Sequence, residues 1–379
     1  MIPVHEPVLT ENARDYVLDC INTGWISARG DYVKQFEDEF SNYIGVNHGI
    51  AVSNGTAAIE TALFAAGVSE GDEVIMPSFT IISSAIGAVR LGAKPVLVDI
   101  EKDTWNMDTR KIEAKITDNT EAIMPVHIYG QPVDMDPIIE LAKQYNLNIV
   151  EDAAEAHGAE YYSQISGKQR KKCGSIGHIS AFSFYANKII TTGEGGMVLT
   201  DNEKMASKAS SYKDLCFGEE NKFTHEELGY NFRMTNLQAA IGVAQLENID
   251  EIIKKKRELG ALYKKNLREV PGNNKLQEES EGTRQVFWMY ALELDPQLGI
   301  TAKEVRDELK KQQISTRPFF RGLHTQPALR KKGFMYEGGY QNTERASRFG
   351  FYLPSSLKLD KNDVEKITSA VRKGVSKLV

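Results

Sequence analysis

The first two thirds of the chain alternate short apolar runs, rich in β-branched residues, with longer amphipathic segments. This alternation is typical of a parallel sheet that helices cover on both faces. Apolar pairs such as Ile149-Val150 suit strands that are buried on both faces, and 56–66 and 135–145 show helical periodicity. We therefore predict an α/β fold with a large, mainly parallel sheet of seven strands, at 49–53, 73–76, 96–99, 122–128, 148–152, 179–184 and 196–200.

A smaller unit is predicted at the C-terminal end. A long helical pattern at about 237–268 is followed by a Pro-Gly pair and a polar run, 271–281, which is typical of a boundary. We predict a large domain at 1–245 and a small α+β domain at 246–379, joined by the long helix. The small domain is expected to contain a strand at 286–293 and helices at 301–312 and 363–377.

Two basic runs are assigned no function. KKKR at 254–257 is interpreted as the solvated face of the long helix, and KQRKK at 168–172 as a solvated turn or insertion. Neither run is accompanied by the overall basic charge that a nucleic-acid-binding protein needs.

Charge and hydropathy restrict the partners of the protein. The chain has 46 basic and 52 acidic residues among 379, a net charge of −6, which argues against a general binder of nucleic acids or membrane surfaces. The most apolar stretch, 74–93, contains Pro77 and Arg90 and is interpreted as a strand, a loop and a helix rather than a membrane span. The N-terminus shows no pattern of a signal peptide.

Cysteine content indicates the compartment. Cys20, Cys173 and Cys216 are odd in number, far apart and without a CxxC pair. This usage is typical of a reduced cytoplasmic protein and makes a zinc site unexpected. We therefore expect a cytoplasmic protein without a bound metal.

The strongest local signal is AFSFYANKIITTGEGGMV at 181–198. Lys188 is its only basic residue and stands between an apolar strand and the glycine-rich turn at 192–196. Burial among apolar residues lowers the pKa of a lysine and frees its amine for Schiff-base chemistry. Taken alone, however, the segment also fits a surface lysine in a loop.

A second signal is the acidic pair at the end of the strand at 148–152. Ligands of open α/β sheets bind at the carboxyl ends of strands, and Asp152 there could pair with a protonated pyridine nitrogen. Glu151 is expected to face the opposite side, because side chains alternate along a strand. The alternative for Asp152 is an N-cap of the following helix.

A third signal is AVSNGTAAIETALFAAG at 51–67, where a strand runs into a helix. The unpaired amides of a helix start form a site for a phosphate group. Ser53 or Asn54 would also cap this helix, and both functions are compatible. The segment matches neither the dinucleotide-binding nor the P-loop pattern.

Together, a phosphate-binding helix start, a strand-end aspartate and a lysine in this order resemble the fold-type I pyridoxal-phosphate (PLP) enzymes. More narrowly, nearly the whole chain is similar to the DegT/DnrJ/EryC1/StrS family of nucleotide-sugar aminotransferases. The blocks that carry the resemblance are GWISARG (24–30), SNGTAA (53–58), GDEVIMPSFT (71–80), GAKPVLVDI (92–100), PVHIYGQPVDM (125–135), EDAAEAHG (151–158), FSFYANKIITTGEGGMV (182–198), GYNFRMTNLQAAIG (229–242) and RPFF (317–320).

The resemblance implies roles for the three signals. Lys188 would bind PLP covalently and would then move a proton between the sugar carbon and the cofactor as general acid and base. Asp152 would hold the proton of the pyridine nitrogen. The amide of Gly55 and the hydroxyls of Thr56 and Ser183 would hold the phosphate.

Three further cofactor residues are implied. Phe79 would present its ring to the cofactor, with a core aromatic as the alternative, and Glu155 occupies a position where many relatives carry His or Gln. Asn231 would reach the phosphate in the neighbouring subunit, so the resemblance implies a homodimer with shared active sites. A related dehydratase branch replaces the lysine with histidine, so Lys188 favours transamination.

The substrate follows from the branch of the family. The DxAEA pattern around Glu155 and the NKIITTGEGG and RPFF blocks look closest to the GDP-perosamine synthases. This similarity implies amination of GDP-4-keto-6-deoxymannose at C4, with L-glutamate as donor in a ping-pong reaction. The product would serve a surface glycan such as the O-antigen of lipopolysaccharide.

Residues that would bind this substrate are less well marked. Arg29, Arg317 and Arg321 are candidates for the diphosphate, and Trp25 and His324 could flank the nucleotide or the sugar. Each has a plain alternative: a surface arginine, a packed tryptophan, or a histidine in a capped loop.

Three other functions remain open at this point. The first is the same chemistry on a dTDP- or UDP-linked 4-keto-6-deoxy sugar, or on a 3-keto sugar. The second is a non-catalytic regulatory protein of the same fold, although a non-enzyme has no need to retain Lys188, Asp152 and Ser183 together. The third is a cysteine-desulfurase-like enzyme, for which no cysteine stands in a suitable loop.

Overall fold

A seven-stranded sheet forms the centre of the protein in a computed structural model that describes residues 1–165, 167–218 and 223–379. The first nine strands are β1 (His48–Val52), β2 (Glu73–Pro77), β3 (Lys94–Val98), β4 (Thr120–Ile123), β5 (Asn148–Asp152), β6 (Glu160–Ser163), β7 (Gln169–Lys172), β8 (Ile179–Ser183) and β9 (Gly196–Thr200). Seven of them form the sheet, in the order β1-β9-β8-β5-β4-β2-β3. β9 is antiparallel to both neighbours and the other pairs are parallel. The predicted α/β fold with a mainly parallel sheet is confirmed.

Helices cover both faces of this sheet. They are α1 (Glu11–Thr23), α2 (Asp31–Ile44), α3 (Gly55–Ala65), α4 (Ile82–Arg90), α5 (Asp136–Tyr145), α6 (Glu203–Lys213), α7 (Asn236–Leu246), α8 (Ile249–Leu267), α9 (Ala302–Lys311), α10 (Pro327–Lys331), α11 (Gln341–Phe349) and α12 (Lys361–Leu378). One face packs against α3, α4 and α6 through side chains such as Val150 and Ala181. The other packs against α2, α5 and α7 through Ile149 and Phe182. Adjacent residues of β5 and β8 therefore enter opposite cores, as a doubly covered sheet requires. Within the described ranges, no helix is long and apolar enough to cross a membrane.

The C-terminal part of the chain builds a smaller sheet. The strands of this part of the chain are β10 (Lys275–Leu276), β11 (Thr283–Arg284), β12 (Tyr290–Glu293), β13 (Arg317–Pro318) and β14 (Gly350–Leu353). Four of them form an antiparallel sheet in the order β10-β12-β14-β13. α8, α9 and α12 pack on it around Tyr263, Leu309 and Val371.

Many contacts cross the predicted domain boundary, and strand pairing is among them. β11 pairs with β6 of the large part, and Ile2 at the N-terminus forms a bridge with Ile314. The two parts are thus joined by more than the chain itself, and the division into 1–245 and 246–379, with its boundary at the end of α7, is our proposal.

The segment 237–268, predicted as one helix, is two helices. α7 ends at Leu246 and α8 begins at Ile249, and between them Asn248 leaves the helical conformation with φ −116° and ψ 9°. α7 packs against α1 and α2, whereas α8 packs against α12. Because an apolar stripe continues across the break, the sequence pattern does not reveal this interruption.

The two basic runs also differ from their predictions. The run 168–172 is mostly strand β7, which pairs with β6 at the edge of a three-stranded sheet. Charged side chains suit an edge strand, since they reach solvent and oppose further pairing. In the run 254–257, Lys256 is buried rather than solvated, with 1% of its surface exposed.

The alternation of side chains along β5 separates its two acids, as predicted. The Glu151 carboxylate accepts hydrogen bonds from the amides of Gly174 (2.8 Å), Ile176 (2.7 Å) and Gly177 (2.6 Å). Nε2 of His127 lies 3.0 Å from it. Because Nδ1 of His127 accepts from the amide of Val133, Nε2 is the donor to Glu151. Glu151 thus ties the loop before β8 to the sheet, on the side away from Asp152.

Replacing Glu151 by alanine should lower the free energy of unfolding by about 3–5 kcal/mol, because it leaves these buried donors unpaired. Urea denaturation at pH 7 measures this loss. Glu140→Ala is the control, since Glu140 is an exposed glutamate of α5, and it should change stability by less than about 0.5 kcal/mol.

This stabilisation should depend on pH. Burial raises the pKa of Glu151, but His127 and the backbone amides lower it by more, so its pKa in the folded state is below the ordinary value. The contribution is therefore complete above the ordinary carboxyl pKa and is lost as the pH falls through the folded-state pKa. A difference between wild type and Glu151→Ala that grows in acid would contradict this assignment.

Candidate active site

A cavity of about 690 Å³ lies at the carboxyl ends of β1, β5 and β8. Side chains from the C-terminal third of the chain, Trp288, Phe320 and Tyr352, also line it. This is the position at which open α/β sheets bind ligands. Six of the predicted site residues line the cavity, namely Gly55, Thr56, Asp152, Glu155, Ser183 and Lys188.

The start of α3 forms one end of the cavity. Asn54 caps the helix by accepting from the amide of Ala57 at 2.9 Å, as one interpretation of this segment predicted, and this cap is compatible with a phosphate site. A Cβ atom added to Gly55 would lie 2.6 Å from Cβ of Ser183, so a side chain here would collide with the end of β8. The first helical amides have no acceptor within the helix. With the hydroxyls of Thr56 and Ser183 beside them, they form a cradle that fits a phosphate group.

The Asp152 carboxyl group is buried in the wall of the cavity, with 3% of the residue exposed. Its oxygens accept from the Ser84 hydroxyl at 2.9 Å and from the Ala154 amide at 3.2 Å. The Thr80 hydroxyl lies 3.1 Å from that of Ser84 and supports it. Burial raises the pKa of Asp152. A carboxyl group held in this way has lone pairs left for a protonated ring nitrogen.

Lys188 lies between an acid and an aromatic ring. Its side chain is 11% exposed and its Nζ is 3.7 Å from Oε1 of Glu155. The same Nζ is 4.1 Å from the ring centroid of Trp288. Burial lowers the pKa of Lys188, and the charges of Glu155 and Asp152 oppose this only in part. The amine is therefore easier to deprotonate than a solvated lysine, as a nucleophile or a base requires.

The pKa of Glu155 is shifted in the opposite direction. Burial raises the pKa of Glu155 to about 7. The charge of Lys188 and the backbone amide of Tyr129, which donates to Glu155 at 2.7 Å, lower it by less. An acid and an amine with converging pKa values can exchange a proton at little cost. Tyr129 has a positive φ of 52°, so the backbone that presents this amide is strained at the site.

These residues fit PLP. The cradle at Gly55 suits the phosphate, the buried carboxyl of Asp152 suits the pyridine nitrogen, and the amine of Lys188 suits the carbonyl carbon. Bound here, the cofactor supplies the electron sink for amino-group transfer. Among the described residues, no group of three or more His, Cys, Asp or Glu side chains is arranged to hold a metal ion.

Two predicted cofactor residues do not line this cavity. Phe79 is fully buried, and its ring packs 5.6 Å from that of Phe319 and 5.9 Å from that of Phe320. Its packing fits the alternative of a core aromatic, and through Phe320 it supports the wall of the cavity. Asn231 is exposed, and its backbone forms a bridge with Asp214.

None of the five predicted substrate residues is among those that line the cavity. Trp25 is 58% exposed, and Arg29 lies 3.5 Å from Asp214 in an ion pair. Nε of Arg321 donates to Thr325 at 3.0 Å. The ring of His324 stacks on Tyr340 with centroids 4.5 Å apart. Within one chain, Arg29, Arg321 and His324 therefore contact other residues, and the side chain of Trp25 is exposed.

Arg317 does not line the cavity either, but it pairs with a residue that does. It stands opposite Tyr352 in the pairing of β13 with β14. Directly opposite residues of paired strands share one face, and Tyr352 lines the cavity. Arg317 therefore lies on the cavity side of the small sheet.

Sequence reasoning missed several residues of the site. Ser84 lies inside a helix pattern, and Trp288 and Tyr352 lie in apolar runs of the C-terminal part, where nothing separates them from core residues. Arg90 lines the cavity next to Glu60, 3.1 Å away. The only available signal was its charge in an otherwise apolar stretch.

Comparisons with known proteins agree with this site. The model of the DegT/DnrJ/EryC1/StrS aminotransferase family matches residues 7–372. A GDP-perosamine synthase from Caulobacter vibrioides is 42% identical over 98% of this chain and 97% of its own length. GDP-perosamine synthases from Escherichia coli O157:H7 (41%; 98% and 97%) and Vibrio cholerae (38%; 98% and 98%) are similar to the same extent. The resemblance predicted from the sequence is confirmed.

Solved structures agree as well. The aminotransferase TlmJ from Streptoalloteichus hindustanus superposes with a TM-score of 0.90 at 27% identity, over 100% of both chains. The PLP form of Spr1654 from Streptococcus pneumoniae, described as a sugar aminotransferase, gives a TM-score of 0.90 at 25% identity, over 100% of this chain and 99% of its own.

Replacing Asp152 by asparagine should weaken PLP binding by the apoprotein about 10- to 100-fold, because a hydrogen bond between charged groups is worth about 1.5–3 kcal/mol. Titration of apoprotein with PLP, followed by absorbance, measures this. Ser84→Ala leaves the Asp152 carboxylate in place and removes only one hydrogen bond that orients it, so it should weaken binding about fivefold. Equal binding by wild type and Asp152→Asn would show that this carboxyl does not hold the cofactor.

Proposed function

Since the chain belongs to the DegT/DnrJ/EryC1/StrS aminotransferase family, we propose that it aminates GDP-4-keto-6-deoxymannose at C4 and forms GDP-perosamine, with L-glutamate as donor. The chain is a PLP-dependent sugar aminotransferase. The choice of a GDP-linked sugar rests on one observation, namely that the similarity to GDP-perosamine synthases extends over 98% of the chain and so includes both sides of the cavity.

We assign the chemistry of the cavity to its buried groups. Lys188 holds the cofactor, and its amine then carries the proton that moves during amino-group transfer. Asp152 holds the proton on the ring nitrogen, and Gly55, Thr56 and Ser183 hold the phosphate. The opposite pKa shifts of Lys188 and Glu155 support this assignment, because burial makes the lysine easier to deprotonate and the acid easier to protonate.

The aromatic wall of the cavity supports these roles by excluding water. Trp288, Phe320 and Tyr352 close it from the side of the small sheet. Charges interact more strongly in such a poorly solvated site. The pairing of Asp152 with a cationic ring is therefore worth more here than at the surface.

Both substrates are anionic, and two arginines at the cavity could receive them in turn. Arg90 lines the cavity, oriented by Glu60 at 3.1 Å, and its side chain remains 47% exposed. Arg317 lies on the cavity face of β13. Guanidinium groups bind both phosphates and carboxylates. The diphosphate of the sugar nucleotide and the carboxylates of L-glutamate are the ligands we assign to them.

We further propose a homodimer with shared active sites. Asn231 is exposed and outside the cavity of its own chain, although the family resemblance places it at a phosphate. Large apolar side chains are exposed near Asn231 in the sequence, where Leu228 is 87% exposed, and after α1, where Trp25 is 58% exposed. Exposed apolar surface of this kind is typical of an interface.

A cytoplasmic location and a role in O-antigen synthesis complete the proposal. The three cysteines are free and buried, as is usual in a reducing compartment. A GDP-linked amino sugar is an activated donor, so a glycosyltransferase must consume the product.

The substrate is tested by a panel of GDP-, dTDP- and UDP-linked 4-keto-6-deoxy sugars with L-glutamate, read by mass spectrometry. We expect kcat/KM for the GDP-linked sugar to exceed the others by at least about tenfold, a difference of about 1.4 kcal/mol in transition-state binding. Lys188→Ala is the control and should form no product. Preference for a dTDP- or UDP-linked sugar would refute the GDP assignment and leave the aminotransferase class intact.

The shared site is tested by mixing two defective subunits. Asn231→Asp should bind PLP about tenfold more weakly, because a carboxylate would face the phosphate, and Lys188→Ala should be inactive. Refolded together, they should regain activity, since each mixed dimer would hold one site with both Lys188 and the partner's Asn231. Activity no greater than the average of the two variants would show that each chain completes its own site.

A further inference from the structure

A second lysine of the chain is buried without a counter-charge. Lys256, in the middle of α8, is 1% exposed and forms no ion pair with any residue in the described ranges. Its Nζ donates to the carbonyl oxygens of Trp288 at 2.9 Å and Ser355 at 2.5 Å. Burial lowers its pKa to about 7. An apolar residue would be easier to bury, so the position is costly unless these two hydrogen bonds have a function.

Gly260 lies one turn further along the same face of α8. A Cβ atom here would stand 2.7 Å from the ring of Phe287. Phe287 itself has a positive φ of 49°, which is unfavourable for a residue with a bulky side chain. α8 therefore contacts two consecutive residues of one strained turn. Gly260 leaves the space that the ring of Phe287 occupies, and the ammonium group of Lys256 binds the carbonyl oxygen of Trp288.

The indole of Trp288 carries this arrangement into the cavity. Its Nε1 donates to the carbonyl oxygen of Asn187 at 2.6 Å, next to Lys188 in the chain. Its ring centroid lies 4.1 Å from Nζ of Lys188, a distance at which a protonated amine is attracted to the ring face. Trp288 is 3% exposed and also lines the cavity. A shift of the Trp288 backbone would therefore move the indole ring that contacts the amine of Lys188.

We propose that Lys256 is a positioning residue of the active site. By holding the carbonyl groups of Trp288 and Ser355, it fixes the indole of Trp288 against the amine of Lys188, and the indole directs that amine into the cavity. This inference rests on the role of Lys188 proposed above.

The test compares Lys256→Met with Lys255→Met in the holoenzyme. Methionine fills nearly the same space without the two donors, and Lys255 is the exposed neighbour on α8. We expect Lys256→Met to lower kcat at least about tenfold, because small displacements of reacting groups are costly, with KM for the sugar nucleotide changed less than about twofold. The absorbance spectrum of bound PLP should also shift, whereas Lys255→Met should match the wild type.

A double-mutant cycle separates positioning from general structural damage. In a Trp288→Phe background the indole is already gone, so adding Lys256→Met should slow the reaction by less than about twofold. An equal, additive loss in both backgrounds, or no loss in the wild-type background, would overturn the proposal.

If Lys256→Met does not fold, Gly260→Ala disturbs the same turn through Phe287 and should lower kcat and shift the spectrum in the same way. A folded Gly260→Ala variant with wild-type kcat and spectrum would then overturn the proposal. Failure of Lys188→Ala to abolish the cofactor band would instead refute the proposed function, so the two failures are distinguishable.

Discussion

The structure depends on keeping Lys188, Glu155 and Asp152 together in a poorly solvated cavity. Burial disfavours the charged form of each of them, so the pKa of the lysine falls while those of the two acids rise. In water these groups would be fully ionised and inert towards one another. At the end of the sheet their pKa values are shifted towards one another, which favours the movement of protons between an amine and a substrate.

The sheet creates this condition through its geometry. Side chains alternate along β5, so Glu151 anchors the loop before β8 while Asp152 enters the cavity. The close approach of Gly55 to Ser183 brings the start of α3 to the end of β8. Structural and chemical functions are thus divided between neighbouring residues of the same strands, and the site is held by rigid elements rather than by loops alone.

Much of this arrangement could be predicted from the sequence, because its elements are local. Alternation of strands and helices predicted the sheet, Asp152 ends the strand β5, and Lys188 lies in the loop between β8 and β9. Contacts between distant segments could not be predicted in this way. Trp288 reaches Lys188 across 100 residues of chain, and Lys256 is buried within a run that charge patterning predicts to be solvated. Phe79 shows the opposite case, since the motif around it suggested a ligand contact and packing placed it in the core.

Every role assigned in the cavity depends on Lys188 as the residue that binds the cofactor, and borohydride reduction of the PLP-loaded protein tests this directly. Reduction fixes the cofactor to the amine that holds it, and peptide mapping by mass spectrometry then identifies the residue. We predict the added mass on Lys188 alone. The label on another lysine, such as the buried Lys256, or no label at all, would contradict the assignment of the active site.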